Sequence, residues 1–164
     1  MTTNIAETLA EIASKYGDKI GLIEAKTGKS ACFSELNQQA NGYAAYLSER
    51  GVQPCSRTML MVPPSADFIC LTFALFKLGA TIILIDPGMG YKNLLRCIER
   101  VEPEVLIGIP KAHFFSRLFP QPFRTLRHRF SCGNSFGLGG ANICRARVKK
   151  EPVFHTYQPQ AEDL

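Results

Sequence analysis

The run 68–87, F-I-C-L-T-F-A-L-F-K-L-G-A-T-I-I-L-I-D-P, constrains the fold more than any other part of the chain. Its first part, 68–78, is apolar on nearly every face, which predicts a buried helix and not a surface one. Ser65 stands where an N-cap oxygen is wanted, and Gly79 where a left-handed cap ends the helix. The β-branched run 80–85 is too short for a second helix and suits a strand buried on both faces. Asp86 and Pro87 close that strand, because proline has no N–H to give to a ladder. A buried helix passing through one glycine into a buried strand is half of a parallel βαβ unit.

The flanking sequence completes the unit. A strand is predicted over 57–62 and stopped by Pro63-Pro64. After the turn Asp86-Pro87-Gly88, a helix shows Tyr91, Leu94, Leu95, Ile98 and Val101 on one side. Lys92, Asn93, Arg96, Glu99 and Arg100 lie on the other. Pro103 breaks it, and 105–109 is another apolar strand. Strand, helix, strand, helix, strand over 57–109 implies an α/β fold with three parallel strands and right-handed crossovers. Upstream, Asn4-x-x-Glu7 has the form of a capping box opening a helix that Gly17 ends. A hairpin is predicted from 20–25 and 30–33 around the turn 26–29. Ser34 then caps a second helix, with Leu36, Ala40, Tyr43, Ala44 and Leu47 on its apolar side, and Gly51 ends it.

The pattern weakens past Pro110. A short helix over 112–118, a strand over 124–131, a Gly-rich loop over 133–140 and an extended tail over 153–163 are the readings there. The chain therefore divides into a well-patterned α/β core, 1–110, and a basic, Gly/Pro-containing extension of the same partial domain, 111–164. At 164 residues it fits one domain, or one piece of a larger domain. The opening residues lack a basic start and a long apolar core, and 68–85 is interrupted by Lys77 and Gly79. A cytoplasmic location with no membrane span is the expectation.

Six cysteines, at 32, 55, 70, 97, 132 and 144, include no C-x-x-C and no metal-spaced ligand pair. Thiols rather than disulfides or a metal site are expected. Residues 1–110 carry ten basic and eleven acidic side chains, whereas 111–150 carry nine basic (Lys111, Arg117, Arg124, Arg127, Arg129, Arg145, Arg147, Lys149, Lys150) and none acidic. Such a stretch is a solvated face, a set of partners for another part of the protein, or a patch for phosphate or an acidic partner.

No motif in the chain carries chemistry. The glycines of 133–140 lack Walker spacing and a following Lys-Ser/Thr, and no helix pattern follows them. His113, His128 and His155 all lie outside the patterned core, and there is no Gly-x-Ser-x-Gly elbow. Asp67 is read as complementing a helix dipole and Asp86 as a turn residue, neither as catalytic. Arg124, Arg127 and Arg129 interleave with Phe123, His128 and Phe130, a pattern shared by nucleic-acid contacts and by an edge strand with one wet face. No nucleic-acid partner is expected.

Three segments in order resemble the beginning of the AMP-forming acyl-CoA synthetase and adenylation-domain superfamily. They are Phe33-Ser34-Glu35-Leu36-Asn37 with Ala40-Asn41, 44–47 and Arg50-Gly51-Val52; Leu75-Phe76-Lys77-Leu78-Gly79-Ala80 through Leu84-Ile85-Asp86-Pro87; and Glu102-Pro103-Glu104-Val105-Leu106-Ile107. The likeness is strongest to the fatty-acyl-CoA ligase branch, and within it to enzymes acting on long-chain β-hydroxy acids. It implies an incomplete piece of the large N-terminal domain of that fold. It also implies carboxylate adenylation by ATP with Mg²⁺, followed by transfer to a thiol such as CoA.

The family's phosphate loop, Thr-Glu motif, ribose-binding aspartate and C-terminal catalytic lysine have no counterpart here. The resemblance implies a chain ending just before its first ATP motif, with no catalytic or metal residue and no cofactor of its own. Its implied partners are the remainder of the synthetase, a fatty acid for the whole enzyme, and a second copy through an exposed apolar face. The alternative is a standalone α/β module binding an anionic ligand such as CoA. Such a module would use the crevice at 63–65 and 86–90, where open parallel sheets take ligands.

Overall fold

A computed structural model of the chain describes residues 4–25, 27–133, 140–143 and 153–158. The fold is α/β, organised as two compact units: a helical unit of Met1–Cys55, Pro63–Ala80 and Arg145–Leu164, and a sheet unit of Ser56–Val62 and Thr81–Cys144.

The helical unit contains α1 (Ala6–Tyr16), a hairpin of β1 (Ile20–Ile23) and β2 (Ser30–Cys32), α2 (Phe33–Ser48) and α3 (Ala66–Leu78). Every residue of α3 is buried or half-buried, as its uninterrupted apolar run predicts. The Ser65 hydroxyl accepts from the Phe68 N–H at 3.2 Å, and Gly79 ends the helix at φ 72°. The N–H of Ala80 reaches back to the Leu75 carbonyl at 3.0 Å, satisfying a last-turn acceptor.

The other helix starts differ from expectation. Asn4 makes no capping box with Glu7: its carboxamide oxygen accepts from the Ala6 N–H at 2.9 Å, while the Glu7 side chain meets Gln158. Gly17 follows α1 in right-handed conformation, φ −50°, so no left-handed cap ends that helix. α2 begins one residue before Ser34. Its N-cap is Cys32, whose N–H is taken by the Glu35 carboxylate at 2.9 Å. The cap follows the position of the glutamate three residues into the helix, not the identity of the hydroxyl residue.

The sheet unit holds β3 (Arg57–Met61), β4 (Thr81–Ile83), β5 (Val105–Gly108), β6 (His128–Ser131) and β7 (Ala141–Asn142), all parallel in the order β4-β3-β5-β6-β7. Two helices accompany them, α4 (Tyr91–Val101) and α5 (Pro110–Leu118). Each residue of β5 is buried. Full burial of Leu106 or Ile107 stabilises the unit by about 2 kcal/mol each. Met59 and Leu106 are register partners, and Leu94 and Ile98 of α4 pack on them with Phe123. Phe115 of α5 joins the same cluster.

Four sequence readings are corrected in this unit. β4 was expected to be buried on both faces, but it is the edge strand, with Thr81 exposed, Ile82 and Ile83 half-buried and Leu84 58 % exposed. The sheet grows from β3 toward β5 and beyond, so no described strand pairs on the outer side of β4. β6 starts at His128 and not at 124: the N–H groups of Arg127 and His128 both bond to the Glu104 carbonyl, where the chain enters the sheet. β7 extends the sheet beyond the last strand read from sequence, since a two-residue strand carries no period to read. Tyr91, placed on the apolar side of α4, is 73 % exposed.

Candidate functional site

The two halves of the crevice expected at 63–65 and 86–90 fall in different units. In the helical unit, Ser65 is occupied as the cap of α3, its hydroxyl also donating to the Pro63 carbonyl at 3.0 Å. Asp67, read as a dipole partner, accepts the Tyr43 hydroxyl at 2.7 Å and so ties α3 to α2. The Glu24 carboxylate accepts from the Ala66 N–H at 3.0 Å at the same helix start. That bond and one from Thr27 hold its pKa below the usual carboxylate range.

At the carboxyl end of the sheet, Asp86 caps a single 3-10 turn, Pro87–Met89, by accepting from the Gly88 N–H at 2.8 Å. In geometry it is the turn residue that the sequence predicts. One element further, β5 gives way through Ile109 to α5, and β6 ends at Ser131, whose hydroxyl donates to the Gly133 carbonyl at 3.2 Å. Residues 134–139, the body of the Gly-rich stretch, lie outside the described residues, as do Arg145, Arg147, Lys149 and Lys150.

His113 is a correction. Expected outside the core, it is fully buried between the ends of β5 and β6. Its Nε2 lies 3.1 Å from the Gly108 carbonyl and 3.0 Å from that of Phe130. Both are acceptors, so Nε2 carries the proton and Nδ1 is left as a buried lone pair with no partner among the described residues. Burial pushes its pKa below the ordinary imidazole value, and the cations Arg129 and Arg117 act in the same direction. Nearby, Ser116 Oγ donates to the His113 carbonyl at 2.9 Å and accepts from Arg129, whose own pKa burial lowers. The sequence signal that could have placed His113 was its position between Ala112 and Ser116, the small residues of the buried side of α5. This network is structural: the imidazole meets no solvent, and its Nε2 is held by two backbone carbonyls.

The basic residues divide by their neighbours. Arg124 reaches Glu99 and Glu102 at 3.5 Å each, and Arg57 and Arg127 each lie 3.7 Å from Glu104. Phe123 and Phe130 are buried, so neither offers a ring face for stacking a base. The five described cysteines form no disulfide with one another. Among the described residues no three His, Cys, Asp or Glu side chains gather as metal ligands. Of the two acids beside the central βαβ unit, Asp67 accepts from the Tyr43 hydroxyl and Asp86 from the Gly88 N–H. Among the described residues, no helix is long and apolar enough to cross a membrane.

A five-stranded parallel sheet in this order, with a helix between each two successive strands from β3 to β6, defines an α/β class of fold. Residues 9–153 match the family model for "AMP-binding enzyme", and the chain belongs to that family. It is 35% identical over 163 residues to an olefin beta-lactone synthetase of Stenotrophomonas maltophilia, and 36% identical over 164 residues to one of Xanthomonas campestris pv. campestris. Each alignment covers 92% of this chain but only 29% of the relative. In structure it matches an anthranilate CoA ligase solved with anthranoyl-AMP at a TM-score of 0.84 and 18% identity. That match covers 98% of this chain and 31% of the ligase, and it agrees with part of the N-terminal domain of that fold.

Proposed function

We propose that this chain is the N-terminal scaffold of an AMP-forming, carboxylate-activating enzyme whose substrate is a long-chain β-hydroxy acid. The observation carrying this reading is the 35% identity to an olefin beta-lactone synthetase across 92% of the chain. The superfamily implies ATP and Mg²⁺ for the whole protein. A β-hydroxy acid activated at its carboxylate holds its own acceptor, the hydroxyl two carbons away. Attack of that hydroxyl oxygen on the activated carboxyl carbon, with the acyl–phosphate bond breaking, AMP leaving and the hydroxyl proton passing to a base, closes a four-membered lactone and replaces transfer to an external thiol. On this reading 1–110 supplies packed framework, 111–164 leads toward the phosphate-binding loop, and the remainder of the enzyme supplies the reacting groups. A fatty-acyl-CoA ligase is the neighbouring assignment, differing in the acceptor.

A chimera tests it. This chain replaces the matching 163 residues of the Stenotrophomonas enzyme, and the product is assayed with a 3-hydroxy fatty acid, a simple fatty acid and CoA. Retained β-lactone formation is expected, with no ATP–pyrophosphate exchange by the 164-residue chain alone. Exchange by the chain alone would overturn the scaffold reading. Because the reacting groups of the chimera come from the Stenotrophomonas remainder, the acceptor is tested on the full-length enzyme that contains this chain: acyl-CoA as its only product would overturn the lactone assignment.

A further inference from the structure

The net charge of +5 is not shared between the units. The helical unit holds ten basic and ten acidic residues, and the sheet unit nine basic and four acidic. Within the sheet unit the carboxylates of Glu99, Glu102 and Glu104 are all taken by Arg57, Arg124 and Arg127. Lys92, Arg96, Arg100, Lys111 and Arg117 are exposed, and no carboxylate among the described residues lies within ion-pair reach of any of them.

Helix geometry gathers these five cations. At about 100° per residue, Lys92, Arg96 and Arg100 fall in one stripe of α4, diametrically opposite the buried Leu94 and Ile98. On α5 the buried side is Ala112, His113 and Ser116, and opposite it stand Lys111, Phe114 and Leu118, with Arg117 on the flank. Phe114 and Leu118 are adjacent at i, i+4, and they are 61 % and 60 % exposed. Both helices lie on the same face of the sheet, because Leu94, Ile98 and Phe115 share one core cluster with Met59 and Leu106. They also touch, with the Tyr91 and Phe115 rings 6.0 Å apart. The outer faces are thus neighbours: a layer of cations without carboxylate partners among the described residues, with a Phe–Leu pair among them.

We propose that this layer docks on an anionic lipid surface. The chemistry needed on the other side is negative charge spread over an area, together with an apolar zone just beneath it. A bilayer with acidic headgroups provides both: phosphates for long, mobile Lys and Arg side chains, and an acyl boundary for Phe114 and Leu118. A polyanion without an apolar zone would leave the Phe–Leu pair in water, and an apolar protein surface would leave the cations desolvated and unpaired. The inference concerns where the chain sits, and does not depend on the acid-activating reading above.

The test uses the full 164-residue chain and vesicles of phosphatidylcholine with or without phosphatidylglycerol. The chain has no tryptophan, so Phe114→Trp introduces a single reporter. Its emission is expected to shift to the blue on phosphatidylglycerol vesicles and stay unchanged on phosphatidylcholine alone. Replacing Lys92, Arg96 and Arg100 by Gln is expected to weaken co-sedimentation by about a hundredfold. Phe114→Ser with Leu118→Ser is expected to abolish the part that survives high salt. All these side chains are exposed, so folding is kept, which a far-UV circular dichroism spectrum confirms. Emission from the Phe114→Trp chain that stays unshifted on anionic vesicles overturns the proposal. So does binding that depends on the cations but is indifferent to Phe114 and Leu118 and is matched by heparin, since that is a polyanion site and not a lipid one.

Discussion

In the helical unit, residues far apart in sequence are joined by single hydrogen bonds to backbone groups. Asn4 Nδ2 donates to the Phe76 carbonyl at 2.7 Å and to the Tyr157 carbonyl at 2.8 Å, the Tyr157 N–H donates to the Lys77 carbonyl at 2.7 Å, and Glu24 holds the start of α3. In the sheet unit the corresponding work falls to the parallel ladder and to one apolar cluster, with ion pairs confined to exposed arginines. The helical unit also has an apolar core, with Tyr43, Leu47, Leu71 and Leu75 fully buried, so its directional contacts add to that packing, each with a single point of failure. The hold on the sheet unit is distributed over its ladder and its many small dispersion contacts. The contrast predicts that removing one directional contact of the helical unit acts locally, while core substitutions in the sheet unit act on the whole unit.

The largest effect is expected from Leu106→Ala, which opens a cavity in the buried β5. It should cost about 3 kcal/mol in urea unfolding and raise amide exchange across all neighbouring strands. Exchange confined to β5 would break the distributed picture. Gly79→Ala is expected to cost about 2 kcal/mol, because φ 72° is strained for alanine and the new methyl would collide with the Tyr157 ring. Asn4→Ala removes both donations to Phe76 and Tyr157 and is expected to cost about 1.5 kcal/mol. Its increased exchange should appear in α1 and the end of α3 and leave the sheet amides unchanged.

His113 gives the sheet unit a pH dependence. Its pKa is lower folded than the ordinary 6.5, so below that value the unfolded chain binds the extra proton first. The stability it contributes is complete above about pH 6.5 and is lost as pH falls toward the folded value, at up to about 1.4 kcal/mol per pH unit. Unfolding midpoints at about pH 7 and about pH 5 should diverge for the native chain, and His113→Gln should remove that component. Smallest of all, Arg124→Ala breaks two half-exposed ion pairs and is expected to cost under about 0.5 kcal/mol, less at high salt. A cost above about 1 kcal/mol would place ionic contacts alongside the apolar cluster in holding the sheet unit.

Much of the fold could be read residue by residue. Ser65 and Gly79 bracket α3 because a cap oxygen and a left-handed glycine act within a few residues of the helix end. The amphipathic split of α4 placed Leu94 and Ile98 correctly, since a 3.6-residue period is a local property. Tyr91 failed the same rule because it stands at the first residue of the helix, where its ring stays largely uncovered. His113 was missed because a histidine on a short helix gives the same signal whether it faces water or two strand carbonyls. Only the pairing of β5 with β6 brings the Gly108 and Phe130 oxygens together around it. The structural roles of Asp67 and Glu24 were also unreadable, because Tyr43 and Ala66 lie 24 and 42 residues away from them.

By itself, then, the sequence determined the order of helices and strands, the two ends of α3 and the alternation into parallel units, all of which rest on short-range sterics and periodicity. The family was legible from the resemblance of three segments. Tertiary structure decided that β4 is an edge, that a fifth strand follows β6, that a buried imidazole bridges two strand ends, and that five cations share a layer with Phe114 and Leu118. Those outcomes depend on strand order and on which helix faces are left uncovered. No local period encodes either, because each is fixed by contacts between residues tens of positions apart.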